Sequence, residues 1–438
     1  MLRHYLAIFF LLWALVVVAG CAVNPATGKS ELAFYQMGEA EELKLGEKSF
    51  PEAVQQMHGD YDDPQLASYL NKVGLRLAKV SHRPQLPYEF KLVNDSSPNA
   101  FALPGGKIAI TRGLLVALEN EAQLAAVLAH EIAHVTARHA SQNMQRGILL
   151  GIGLQVLAHE TSGGSYGALA RQAGELAGAV LNSTYSQEQE READRLGIDY
   201  MVKAFYNPQG AVELQRYFYE KSGKQEPKWL EGLFRTHPFS KERMRINQDY
   251  VQSRYGRILM NPAYGSGAED FAAATASLKK SRKAYDDYDQ ARKKEQAKDL
   301  AGAIVLYRQA VQAAPGQALL NTGLGMALLK NKKYDEAQQY LAEAIRLSPG
   351  YFESQFGMGY VYLVNGSMGQ ATTHLEKSME LMPTLGGAFY LAEAYEKNSK
   401  PDKAYPLYLQ VAKADPQGSL GRAAAGRAGK ISREFGVR

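Results

Sequence analysis

The chain has 438 residues, 46% of them hydrophobic and 22% charged. That balance excludes extensive disorder and predicts two or three domains rather than one. The net charge of +5 is the small difference between 50 basic and 45 acidic residues, and no basic block with interleaved aromatics accompanies it, so nucleic acid is not an expected partner.

In chain order, Arg3 and His4 precede an apolar run from Tyr5 to Val18, and Ala19-Gly20-Cys21 follow. A short positive stretch, an apolar stretch and small residues before a cleavage point predict a secretory signal over residues 1–20. The run is shorter than the roughly 20 residues that a transmembrane helix needs. Cys21 is the single cysteine of the chain, so it can form no internal disulfide. Val18-Ala19-Gly20-Cys21 resembles the bacterial lipobox, which implies a lipidated Cys21 as the mature N-terminus. By the Gram-negative sorting pattern, Ala22 rather than Asp after that cysteine implies the periplasmic side of the outer membrane. Acyl chains contribute about 0.8 kcal/mol per buried methylene, so a multiply acylated cysteine holds a protein at a bilayer without a spanning helix.

Residues 21–35 contain the turn-rich Asn24-Pro25-Ala26-Thr27-Gly28 and read as a tether. From about residue 36 to residue 80 the pattern is helical, with apolar positions at three- and four-residue spacing in Leu66, Tyr69, Leu70, Val73, Leu75 and Leu77. Tyr88 to Val93 alternates and reads as a strand, Pro98 to Gly106 breaks it, and Lys107 to Thr111 reads as a second strand. Asn120 is placed to cap the next helix, with Gln123 at its third position. That helix is predicted to run through Leu124, Val127, Leu128 and Ile132 to about His139. The apolar stretch from Gly147 to Ala158 is too short to span a bilayer and reads as a core or groove segment. A further helix is predicted from about Ser186 to Phe205. Residues 36–257 thus form a first domain, and 258–281 read as a linker.

Beyond it the period changes. Pro315, Pro349, Pro383 and Pro416 lie 34, 34 and 33 residues apart, and Ala303, Ala337, Ala371 and Ala404 precede them at a constant offset of twelve. A 34-residue period with small residues at fixed positions predicts a tetratricopeptide helix-turn-helix array. Four repeats occupy residues 282–416, and 417–438 are left for a helical cap or tail.

The chemistry concentrates in His130-Glu131-Ile132-Ala133-His134, an H-E-x-x-H motif within a helical pattern. Histidines four residues apart share a helix face, so two imidazoles can converge on one ion while Glu131 takes a proton from a water held there. Two solvated surface histidines are the competing reading, and the otherwise apolar helix argues against it. A catalytic zinc needs a third protein ligand and an open position. Glu188, Glu190 and Glu192 are candidates that spacing alone leaves undecided; Glu190 and Asp194 share a face, one to ligate and one to orient a ligand.

Three segments in order give a more specific signal: Asn99-Ala100-Phe101-Ala102-Leu103-Pro104-Gly105-Gly106, the H-E-x-x-H helix, and Glu190-x-x-Ala193-Asp194. They resemble the zinc protease family that includes the CAAX prenyl proteases, the HtpX heat-shock protease and periplasmic members with tetratricopeptide tails. The resemblance spans residues 30–250, and the lipobox departs from the repeat-bearing members. It implies Glu190 as third ligand, Asp194 as that site's supporting carboxylate, and Asn99, Ala100 and Phe101 as the edge along which an extended peptide aligns. His237-Pro238 followed by Arg243 resembles the family's H-P-x-x-x-x-R segment. This implies that Arg243 braces the glutamate ligand and that His237 either stabilises the oxyanion or holds the enzyme latent. His139 reads as a helix-end residue, and His58, His82, His159 and His374 have no metal-like spacing.

The expected fold is mainly α: a helical zincin-type metallopeptidase domain with a small β-sheet, then an α-solenoid of tetratricopeptide repeats. The expected function is hydrolysis of peptide bonds in envelope proteins, with one zinc ion as cofactor. Expected partners are protein or peptide substrates, outer-membrane assembly proteins through the repeats, and the membrane through Cys21. The competing function is a tetratricopeptide adaptor or chaperone with latent or dispensable peptidase activity, against which the intact Glu131 argues.

Overall fold

The structure is a computed structural model that describes residues 21–32, 37–144, 184–221, 236–238 and 240–436. The predicted signal segment 1–20 and the apolar stretch from Gly147 to Ala158, like His159, lie outside the described residues.

Strands β1 (Cys21–Val23) and β2 (Ser30–Leu32) pair antiparallel. Asn24 makes their turn: its side-chain oxygen accepts from the Ala26 N–H, and its side-chain amide donates to the carbonyl of Ala137. Residues 21–32 of the predicted tether therefore form a hairpin fastened to the first domain. The long helical stretch divides into α1 (Glu39–Gln56) and α2 (Pro64–Ala78). Pro64 lacks an N–H and starts a helix readily, and the Asp63 carboxylate accepts from the Leu66 N–H. Helix α2 buries Leu66, Leu70, Val73 and Leu77 and rests on the sheet through Gly74, where a Cβ would stand 2.6 Å from the Phe90 ring.

The sheet has the order β3 (Glu89–Val93), β5 (Lys107–Thr111), β4 (Ala100–Leu103), with β3 parallel and β4 antiparallel to β5. Strand β4 falls inside the stretch read as a break. All four of its residues are buried, so it lacks the alternation of a half-exposed strand. A short α3 (Arg112–Ala117) leads to α4 (Glu121–Thr136), capped by Asn120, whose side chain accepts from the Gln123 N–H. Every residue of α4 from Ala122 to Thr136 is buried except His130, the signature of a helix through a core. It stops three residues before His139, because Arg138 turns left-handed at φ +61°.

Helix α5 (Gln187–Lys203) starts with a capping box at Ser186 and packs along α4. Gly197 allows the approach, since a Cβ there would stand 3.1 Å from the His130 backbone nitrogen. Helices α6 (Gln209–Lys221) and α7 (Lys241–Tyr255) complete this unit. The predicted linker is not a free tether. It forms α8 (Ala268–Ala274) and α9 (Ala276–Lys280), and Phe271 and Leu278 bury fully in the same core as α4.

The repeats follow as four helix pairs, α10 (Arg282–Gln296) with α11 (Leu300–Ala313), α12 (Ala318–Lys330) with α13 (Tyr334–Leu347), α14 (Phe352–Val364) with α15 (Met368–Leu381), and α16 (Leu385–Lys397) with α17 (Pro401–Ala414), and then α18 (Ser419–Phe435). Ala303, Ala337, Ala371 and Ala404 are all fully buried, which fits small residues that let paired helices close up. Each pair turns on one left-handed residue, Lys298, Lys332, Gly366 and Ser399, repeating the sequence period in the backbone.

The array docks on the first domain. Gln55, in the last turn of α1, donates to the Gly350 carbonyl at 2.7 Å and accepts from the Phe352 N–H at 3.0 Å. Tyr351 is buried over Gly59, and the Arg112 guanidinium lies 3.6 Å from the Tyr285 ring centroid. One continuous core runs from the sheet through the first two repeats into α14, where it takes in Met358 and Val361, while the rest of the later repeats and α18 share a second. Truncating Tyr351 to alanine should cost about 3–5 kcal/mol. Calorimetry should then show separate unfolding of the two units, and an unchanged single transition would contradict the docking.

Candidate metal and catalytic site

Helix α4 presents His130 and His134 one turn apart, with their Nε2 atoms 3.0 Å from each other. Glu190 on α5 faces them from across the helix pair: its Oε1 lies 3.3 Å from His134 Nε2 and its Oε2 3.6 Å from His130 Nε2. His237, in the segment before α7, places Nδ1 2.9 Å from Glu190 Oε1 and 3.3 Å from His130 Nε2. Ligand atoms of these four residues all lie within 4.8 Å of one another. Of the three acidic candidates on α5, Glu190 therefore faces the histidines. Glu188 and Glu192 point instead to Lys29, at 2.8 and 3.2 Å.

The donor set fits zinc. Bonds of about 2.0–2.1 Å in a tetrahedron separate ligand atoms by roughly 3.3 Å, and the spacings of 2.9 to 3.3 Å among the imidazole nitrogens and Glu190 Oε1 are close to that edge. Burial holds His134 well below the usual imidazole range and outweighs its contact with Glu190, which leaves the ring neutral with a lone pair to offer.

Asp194, one turn beyond Glu190, lies 3.1 Å from His130 Nδ1 and so fixes that ring from its far side. Arg243 binds both carboxylates. Its Nε and Nη2 meet Asp194 at 2.9 and 2.8 Å, and its Nη1 meets Glu190 at 2.6 Å and the Pro238 carbonyl at 2.7 Å. Burial by itself would raise both acids. For Glu190, His237 and Arg243 outweigh it; for Asp194, Arg243 and His130 do, and both carboxyls are held far below the usual range.

Glu131 points to the same chamber, 2% exposed, with Oε1 3.6 Å from His237 Nε2 and Oε2 without a hydrogen-bond partner among the described residues. Burial raises its pKa, against the pull of His237 and His130. Beside it opens a largely apolar cavity that Ala100, Val127, Met201, Leu214 and Phe218 help to line. Ala100 belongs to β4, the outer strand of the three-stranded sheet. Asn99, just before it, donates its N–H to Thr111 Oγ1 and keeps a buried Oδ1 with no partner among the described residues. Phe101 points away into a separate apolar cluster with Phe50 and Val54, so only its backbone is placed to serve the edge.

Sequence reasoning missed two residues here. His139 is fully buried, with Nδ1 3.0 Å from His134 Nδ1 and Nε2 3.1 Å from Glu192 Oε2. Its position five after His134 is off the helical face, and only the left-handed turn at Arg138 brings it back. Tyr185 also packs on His134, at 3.9 Å between ring centroids. No spacing signal in the sequence marks it.

Removing Arg243 leaves two buried carboxylates without their counterion. Arg243→Ala should destabilise the metal-free protein by about 3–5 kcal/mol in urea unfolding. Arg243→Lys should recover little of it, because an ammonium cannot reproduce the two-pronged contact.

Residues 64–249 match peptidase family M48, and residues 295–355 match the tetratricopeptide repeat. The chain is 30% identical over 266 residues to the beta-barrel assembly-enhancing protease of Escherichia coli (strain K12), covering 58% of this chain and 50% of that one. The protein of that name in Yersinia pestis is 30% identical over 284 residues, covering 64% and 54%. The mitochondrial metalloendopeptidase OMA1 of Schizosaccharomyces pombe is 31% identical over 223 residues, covering 48% and 62%. The chain spans about half the length of the first of these relatives. With the helix-borne histidines and the repeat array already in place, the matches assign the first domain: this chain carries a domain of peptidase family M48, followed by tetratricopeptide repeats.

Proposed function

We propose that this chain is a zinc-dependent endopeptidase held at the periplasmic face of an outer membrane, acting on envelope proteins. The observation that carries the reading is the convergence of His130, His134 and Glu190 beside a buried Glu131. A zinc ion held there supplies Lewis acidity toward a water and a scissile carbonyl. Glu131, its pKa raised by burial, takes the proton of the attacking water and returns it to the leaving amine. The backbone of Asn99 to Phe101 holds the substrate extended along the outer strand, which gives affinity with little demand on side chains. Arg243 and Asp194 keep Glu190 and His130 in place while the charge changes.

His237 has a second role in this reading. Its Nδ1 lies 2.9 Å from Glu190 Oε1 and 3.3 Å from His130 Nε2, so His237 would hold a bound zinc at the position that a catalytic site otherwise leaves to water. The resting enzyme is then latent, and moving His237 aside activates it.

A lipid at Cys21 supplies the membrane anchor. Among the described residues no helix is long and apolar enough to cross a bilayer, and the lipobox resemblance supports acylation. The repeats offer a protein-binding surface, and the bacterial relatives' name, beta-barrel assembly-enhancing protease, supports our reading that the chain serves protein quality control at the outer membrane. The intact Glu131 favours this over an adaptor with dispensable chemistry.

Glu131→Gln should lower hydrolysis of casein or an unfolded outer-membrane protein by at least about 100-fold while retaining the metal. Turnover equal to the unmodified protein would sink the peptidase reading. Chelation should abolish activity, and added zinc should restore it. His237→Ala should raise activity several-fold in the same assay; a fall would show instead that His237 serves the transition state.

A further inference from the structure

We infer that His139 and Glu192 are positioning residues for the metal, forming a hydrogen-bonded relay that fixes the tautomer and orientation of His134. The inference rests on the metal reading above and extends it to residues outside the ligand set.

The two ligand histidines are supported differently. His130 has a carboxylate directly behind it, Asp194 at 3.1 Å from Nδ1. Among the described residues His134 has no such partner. Its Nδ1 faces Nδ1 of His139 at 3.0 Å, and His139 Nε2 in turn meets Glu192 Oε2 at 3.1 Å. The carboxylate therefore stands behind His134 at the remove of one imidazole.

Proton counting leaves one arrangement. His134 Nε2 is the atom that faces His130, Glu190 and the other ligand atoms, so it must keep its lone pair and the proton sits on Nδ1. That N–H donates to His139 Nδ1, which must then be the acceptor. The remaining proton of His139 lies on Nε2 and donates to the Glu192 carboxylate, whose other oxygen meets Lys29 Nζ at 3.2 Å. Every donor in the row has an acceptor. The polar ends of His139 are fully buried, so its loss would leave the His134 N–H without water to replace it.

The relay also reaches the N-terminal hairpin. Lys29 lies in the β1–β2 connection, and Asn24 of the same turn donates to the Ala137 carbonyl, two residues before His139. The segment next to Cys21 thus abuts both the end of the metal helix and the outer end of the relay.

Competition with a chromophoric zinc chelator tests the assignment on the full chain. His139→Leu keeps comparable bulk but neither accepts nor donates, and should bind zinc about 10–100-fold more weakly. His139→Gln should stay within about threefold of the unmodified protein, since an amide oxygen can accept from His134 while its NH2 donates to Glu192. Glu192→Ala should weaken binding in the same direction by less. Unmodified affinity in His139→Leu would overturn the relay, as would a His139→Gln no tighter than His139→Leu, which would mark a packing role. Should His139→Leu lose its near-UV circular dichroism, Glu192→Ala decides, and unmodified affinity there overturns the relay. An unmodified chain that takes up no zinc would instead overturn the metal reading and this inference together.

Discussion

Two carboxylates stand one helical turn apart in the buried interior, and the guanidinium of Arg243 makes that tolerable. Glu190 and Asp194 are 0% and 7% exposed, and Arg243 is 4% exposed. Removing any one partner of such a triad leaves an uncompensated charge at low dielectric. This constraint orders the rest. It ties α7 to α5, holds Glu190 facing the histidine pair, and leaves Asp194 free to orient His130. The segment that carries Arg243 also carries His237 and Pro238, and Arg243 donates to the Pro238 carbonyl. One residue thus contacts Glu190 directly and holds the backbone of the segment that carries His237.

The site is built by opposing two helices with different characters. Helix α4 is apolar on nearly every face, so its polar residues are either partnered or poised for an ion. Helix α5 has a polar face turned toward His130, His134, Lys29 and Arg243, and Gly197 lets it approach. The outer strand of a small sheet and a largely apolar cavity lie on the remaining side.

Much of this was legible before the structure. The repeat period, the Asn120 cap and the helix from Ser186 follow from spacing and local chemistry, and the structure has each of them. Spacing left Glu188, Glu190 and Glu192 equivalent, because all three lie on one short helical run and only the packing of α5 against α4 separates them. Strand β4 hid in a stretch bounded by Pro98 and Gly106 because burial on both faces removes alternation. His139 was passed over for a related reason: a left-handed Arg138 resets the helical phase, and no residue type announces that turn. The docking of the repeats is also invisible to local patterns, since Gln55, Gly59 and Tyr351 are far apart in sequence. Residues 258–281 read as a linker because Asn261 to Ala268 are small, polar and turn-prone, although Phe271 and Leu278 anchor the stretch in the core.

X-ray absorption at the zinc edge, on freshly purified protein with stoichiometric metal, tests the central claim most directly. The predicted spectrum has nitrogen and oxygen neighbours at about 2.0–2.1 Å with imidazole scattering beyond them, and it loses one imidazole in His134→Ala. Protein that purifies without a bound metal and takes up none, or a spectrum unchanged in His134→Ala, would contradict the assignment of His130, His134 and Glu190 as its ligands.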